Sequence, residues 1–272
     1  MVNKTQKAMN PYTDFQIKSQ FQSGKQDVES LIAPLIELSQ ESSTLILGYG
    51  MAQAGIRDAM IPYFHVCGTG ATEAPVRALI VGGWFGTESV TPLAIARLLS
   101  AMESTLQLLE GIEVTAYPVS NLEAHREGVF LTADQQAKGV RCWEESPFSH
   151  IQVLEKELRR YEYDVVFLLR EHPRAMESDV EAWLSTDEQK TVMGDALKRY
   201  ALAAPKFRWK ANPIRPTYKR AFTPMPDVER QPAEIIIGLP GALTPEEQSS
   251  DALGLVLSLL HAARQGRLEG LL

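Results

Sequence analysis

Apolar positions recur at helical spacing over 27–40, where Val28, Leu31, Ile32, Leu35, Ile36 and Leu38 share one stripe. A short strand is expected over 43–50 and another over 61–66. The run RALIVGG (77–83) is continuously apolar and ends in paired glycines, the pattern of a strand buried on both faces. Thr91-Pro92 then opens a long helix through about Glu110, with proline in the first turn where no amide is missed. Further strands are expected over 112–119, 163–169 and 234–241. Helices are expected over 150–161, capped by Ser149, and over 179–202, with an interruption at Ser185-Thr186. Thr244-Pro245-Glu246-Glu247 is a capping box that launches a final helix to about Arg264.

Strands alternating with helices of ten or more residues predict a three-layer α/β/α fold, with helices on both faces of a mixed, mostly parallel sheet of about eight strands. The expected organisation is a polar segment over 1–24, one domain over 25–265 and a tail over 266–272. The stretch 203–232 is rich in Pro, Lys and Arg without a clean period, and reads as a long surface loop or a binding loop.

Composition narrows the function classes. The 272 residues are 44% hydrophobic and 22% charged, an ordinary globular balance. The net charge of −7 argues against nucleic acid and anionic membranes as partners. The first twenty residues carry no apolar run, so no signal or transit peptide is expected, and no stretch has the length of a membrane span. Cys67 and Cys142 are expected to be two reduced, buried thiols of a cytoplasmic protein.

Common motifs fail on their spacing. Gly48-Tyr49-Gly50 follows a strand, but Gln53 stands where a dinucleotide fingerprint needs its third glycine. There is no phosphate-binding loop with Gly-Lys-Ser/Thr, no Gly-x-Ser-x-Gly elbow and no His-Glu-x-x-His. The five histidines, His65, His125, His150, His172 and His261, include no pair at metal-ligand spacing.

The order of landmarks is more specific. LGYGMAQAGIRDAMIPYFHVCG (47–68) precedes ALIVGGWFGTES (78–89) and a long helix. YPVSNLEAHREG (117–128), DVVFLLREHP (164–173) and EIIIGLPG (234–241) follow. Over roughly 25–265 this order resembles the zinc carboxypeptidase superfamily, with its carboxypeptidase A-like enzymes and its succinylglutamate desuccinylase/aspartoacylase branch. The family's Gly-x-His-Gly-x-Glu reads here Gly83-Trp84-Phe85-Gly86-Thr87-Glu88, so the acid stands and Phe85 replaces the histidine. A second family histidine closes a strand that here ends Leu168-Leu169-Arg170. The family's catalytic glutamate falls at Gly238, within Ile236-Ile237-Gly238-Leu239-Pro240.

Zinc at such a site wants imidazoles and a carboxylate, with water in the open position. Phe85 offers no lone pair, and Arg170 stays cationic. The resemblance thus implies a degenerate metal site made of Phe85, Glu88, Arg170 and Gly238, with no catalytic residue and no cofactor. A buried Glu88 would need neutralising, and a bidentate Glu88–Arg170 pair in place of zinc is the expectation. Phe85 and Trp84 are expected to fill the vacated space. For a substrate carboxylate the resemblance points to Asn121, Arg126 and Arg141. The reading is a pseudoenzyme that binds a small carboxylate or a peptide end, its oligomeric state open. The alternative is an active metallo-carboxypeptidase or N-acyl amino acid hydrolase. Its zinc would sit in a displaced site built from Glu88 and His172, with His65 or Glu171 as a further donor.

Overall fold

Each continuous apolar run of the sequence becomes a strand with both faces covered. A computed structural model of the chain describes residues 28–52, 59–68, 75–132, 149–172, 177–204, 207–211, 231–241 and 243–270. In chain order the elements are α1 (Val28–Glu41), β1 (Leu45–Ala52), β2 (Ala59–Cys67), β3 (Val76–Val81), α2 (Val90–Ser104), a 3-10 turn (Leu106–Leu109), β4 (Ile112–Tyr117), α3 (Leu122–Glu127), α4 (Ser149–Arg160), β5 (Val165–His172), β6 (Ser178–Trp183), α5 (Asp187–Ala203), β7 (Phe207–Ala211), β8 (Ala233–Pro240) and α6 (Pro245–Leu268).

The strands form one eight-stranded sheet in the order β1-β2-β4-β3-β5-β8-β6-β7. The central strands β4, β3, β5 and β8 run parallel, whereas β1, β2 and the β6–β8 pair are antiparallel. Residues alternate between two cores. Ile80, Phe167, Leu169 and Ile237 pack with Ile95, Leu99, Leu197 and Leu259 of α2, α5 and α6. Leu79, Val81, Val166, Leu168 and Ile236 pack with Leu122 of α3 and Val153, Leu154 and Leu158 of α4. This is the expected α/β/α sandwich.

Four local expectations fail. Residues 178–183 form strand β6 rather than the start of a helix, and the helix begins only after Thr186. There the Thr186 side chain accepts from the Gln189 amide, and Gln189 reaches back to the N-cap amide. Val180 and Ala182 alternate as buried positions on a strand held by both neighbours, and that pairing overrides the helical spacing. Inside the basic 203–232 stretch, Phe207–Ala211 is an edge strand whose charges face out. Arg208 pairs with Glu177, and Lys210 lies 3.6 Å from Glu181. Residues 205–206 and 212–230 lie outside the described residues. Ser149 is the first residue of α4 rather than its cap, and α2 stops at Ser104 instead of Glu110. The 244–247 capping box forms as expected and opens α6, which runs on to Leu268.

Cys67 is a half-buried free thiol at the end of β2, and Cys142 lies outside the described residues. Among the described residues no helix is long and apolar enough to cross a membrane.

Candidate functional site

Ligands in open α/β sheets gather beyond the carboxyl ends of the parallel strands. Here that edge carries the turn 82–89 after β3 and the end of β5. Gly83 must be glycine. Its φ is +55°, and a Cβ there would sit 2.8 Å from the Pro118 carbonyl oxygen and 3.1 Å from Nε2 of His125. The Gly83 amide donates to Oγ1 of Thr91 at 2.9 Å, and the Ser120 hydroxyl donates to the Gly82 carbonyl at 2.9 Å. The turn is thereby clamped to α2 on one side and to the end of β4 on the other.

The turn wraps around the carboxylate of Glu88, whose side chain is 3% exposed. Oε2 of Glu88 accepts from the amides of Trp84 at 2.7 Å and Phe85 at 3.2 Å, and Oε1 accepts from the Glu171 amide at 3.1 Å. Nε of Arg170 lies 3.6 Å from Oε1. Burial drives the Glu88 pKa up, while Arg170 and the three amides pull it back. The expected Glu88–Arg170 neighbourhood therefore exists, with one correction. At 3.6 Å the Nε contact is an ion pair beyond hydrogen-bond length, because backbone amides have already claimed both carboxylate oxygens.

Phe85 completes the arrangement. Its ring stacks on Phe130 with centroids 3.7 Å apart, and the Arg170 guanidinium sits 4.3 Å from its centroid. Trp84 is buried edge-on against His150 at 5.3 Å. Both aromatics pack as fillers. Gly238 pairs directly with Arg170 across the sheet, so the arginine has no neighbouring side chain on that strand at its own level.

Glu171, the next residue on β5, takes a role that sequence reasoning missed. Its carboxylate accepts from the Val90 amide at the start of α2. Ser89, at the N-cap position, makes no side-chain cap hydrogen bond, so a carboxylate from β5 supplies one. Burial, followed by repulsion from Glu88, pushes the Glu171 pKa up to about 7. His125, fully buried on α3, was also missed. Neither ring nitrogen makes a well-formed hydrogen bond, and burial lowers its pKa to about 4 against a smaller opposing pull from hydrogen bonding to the Gly83 and Phe85 backbone. Only the tertiary fold gives these two residues their settings, and no local sequence signal marks them.

Of the residues expected to hold a substrate carboxylate, Asn121 and Arg126 lie among the described residues. Asn121 is the N-cap of α3: its Oδ1 accepts from Ala124 N at 3.3 Å, and its Nδ2 donates to the Trp84 carbonyl at 3.2 Å. It is spent on structure. Arg126 is exposed in the last turn of α3, and Arg141 lies outside the described residues. The displaced metal set does not assemble. His172 ends β5 opposite Pro240, and His65 sits on β2 bonded to Thr115 at 3.1 Å. Among the described residues no three His, Cys, Asp or Glu side chains gather as a metal group.

No family model matches the chain, and no curated protein matches it at a significant level. Solved structures do. A metallo-carboxypeptidase from Burkholderia cenocepacia superposes with TM-score 0.69 at 12% identity, over 86% of this chain and 69% of that one. Thrombin activatable fibrinolysis inhibitor gives TM-score 0.65 at 10% identity, over 86% and 73%. A metallo-carboxypeptidase from Pseudomonas aeruginosa, solved with (2-guanidinoethylmercapto)succinic acid, gives 0.57 at 14%, over 88% and 68%. The chain has the metallo-carboxypeptidase fold.

A shared fold does not carry the chemistry with it. Within this carboxypeptidase fold the donor set at Glu88 does not fit a zinc ion. Phe85 has no lone pair, Arg170 brings a fixed positive charge, and both oxygens of the Glu88 carboxylate already accept backbone N–H donors.

Proposed function

We propose that this carboxypeptidase-fold protein is a pseudoenzyme in which a guanidinium–carboxylate pair stands where the metallo-carboxypeptidases keep their ion, and that it binds a small carboxylate or a peptide end instead of cleaving it. One observation carries the reading: the Arg170 guanidinium lies against both Glu88 and the Phe85 ring. An incoming dication would have to displace a cation from a buried carboxylate and would find no imidazole beside it. The donor chemistry thus disfavours zinc on the residues present.

With Asn121 committed to its helix cap, the reading assigns the carboxylate to Arg126 and Arg141. A guanidinium is suited to such a group through its paired N–H donors. No metal-dependent step is assigned to the chain.

An assay of peptides with free carboxyl ends and of N-acyl amino acids, with zinc added, tests the first half. The expected result is no hydrolysis above that of Glu88→Ala protein. Zinc-dependent hydrolysis that disappears in Glu88→Ala would overturn it and favour an active metallohydrolase. Titration with a short peptide acid and with its carboxamide tests the second half. Saturable binding of the acid, weakened in Arg126→Ala or Arg141→Ala, is expected. Equal binding of acid and amide would remove the carboxylate assignment.

A further inference from the structure

A polar cavity lies at the end of the sheet opposite the Glu88 turn, where β3 and β4 begin and α4 ends. Its volume is about 220 Å³, and its walls come from Ile46, Tyr63, His65, Arg77, Glu113, Thr115, Glu157, Tyr161 and Tyr163. Strand register explains the gathering. His65 pairs with Thr115 across β2 and β4, and Glu113 with Arg77 across β4 and β3, so these side chains share the face that α4 covers.

Glu157 is the unexplained member. It is 8% exposed, and its Oε1 accepts one hydrogen bond, from the Tyr163 hydroxyl at 2.6 Å. Among the described residues no basic side chain lies within ion-pair distance of it. Arg77 is committed to Glu113 at 3.1 Å, and the Arg160 guanidinium rests 5.1 Å from the centroid of the Tyr161 ring. A buried carboxylate faced by phenols alone is costly unless something cationic joins it. The fully buried Tyr117 also interacts with Glu157, and its ring lies 5.4 Å from that of Tyr63. Burial pushes the His65 pKa down, against a smaller upward pull from Glu113 and Glu157, which favours the neutral ring. The lining therefore carries two carboxylates against one guanidinium, beside the carboxyl end of α4, the negative end of its dipole.

We propose that this cavity binds a small primary ammonium ion, with Glu157 as its counter-charge and Tyr63, Tyr161 and Tyr163 as its walls. An R–NH3+ group has three donors. They match the Glu157 carboxylate, the Tyr63 hydroxyl and Oγ1 of Thr115, while a short alkyl tail packs on the tyrosine rings. The volume lies below the roughly 300–1,000 Å³ of drug-sized sites, so the ligand has only a few heavy atoms. The inference is independent of the Glu88 site, since none of the lining residues belongs to it.

The test is an NMR titration of the full chain at pH 8 with propylammonium chloride, set against propionate, tetramethylammonium and sodium chloride. Saturable shifts of the Tyr63, Tyr161 and His65 ring signals are expected for propylammonium in the millimolar range. Glu157→Gln, which keeps an acceptor for Tyr163, should weaken binding at least about tenfold. If that variant does not fold, Tyr161→Ala at the exposed rim should still weaken binding severalfold. Absence of a saturable shift, equal binding of propionate or tetramethylammonium, or unchanged affinity in a folded Glu157→Gln protein would each overturn the proposal.

Discussion

Arg170 holds its guanidinium 4.3 Å from the centroid of the Phe85 ring. The two residues act as a unit. The ring gives the cation an aromatic surface, and the cation gives the buried Glu88 its only nearby positive side chain among the described residues.

Removing one partner should expose that dependence. Arg170→Met is expected to cost about 3–5 kcal/mol by leaving Glu88 charged and buried. The double variant Glu88→Gln/Arg170→Met should recover most of the loss. Urea denaturation of the wild type, both single variants and the double variant gives the coupling. Additive losses would mean that the pair is not coupled.

Introducing two imidazoles should create an ion site. Phe85→His/Arg170→His would set two imidazoles beside Glu88, the donor set that a zinc site wants. The double variant is expected to retain zinc on dialysis, and Phe85→His alone is not, because Arg170 would still repel the ion. Elemental analysis reads both. Zinc held by the single variant would mean that Arg170 is no barrier.

Glu171 predicts a pH dependence of stability. Its pKa rises from an ordinary 4.5 to about 7 in the fold, so between these values the unfolded chain has lost a proton that the folded chain keeps. Its contribution is intact below pH 4.5 and is lost as pH climbs to about 7, on the order of 3 kcal/mol in all. Glu171→Gln should therefore gain stability over the wild type as pH rises across that window, while still accepting the Val90 amide. His125 has the opposite sign. Its pKa falls from 6.5 to about 4, so its contribution is lost as pH falls between those values. Urea midpoints at pH 4.5 and 7.5 for wild type and Glu171→Gln measure the difference, and parallel profiles would refute it.

The turn itself is tightly enclosed. A Cβ on Gly86 would lie 2.1 Å from the carbonyl carbon of Ala124 and 2.4 Å from the Val129 oxygen, both backbone atoms. Gly86→Ala should destabilise by about 2 kcal/mol or more. A thermal melt unchanged from the wild type would show that the turn has slack.

The sheet was readable because its central strands are continuous apolar runs, a signal that survives without tertiary knowledge. Ser178–Trp183 was not, since Val180, Trp183 and Leu184 fit a helical stripe as well as Val180, Ala182 and Leu184 fit alternation. Only pairing with β8 and β7 decides between them. The Glu88–Arg170 pair was legible because the family resemblance set both residues at one strand edge and a buried charge demands a counter-charge. Asn121 was expected as a ligand group, whereas the structure uses its side chain to cap α3. The Glu157 cavity draws on β1, β2, β3, β4 and α4 and their flanks, so no window of sequence contains it.

The zinc content of the wild-type protein after equilibrium dialysis against micromolar zinc tests the central claim most directly. The account predicts far less than one ion per chain, with no difference between wild type and Glu88→Gln. One tightly held zinc per chain, lost in Glu88→Gln, would contradict it.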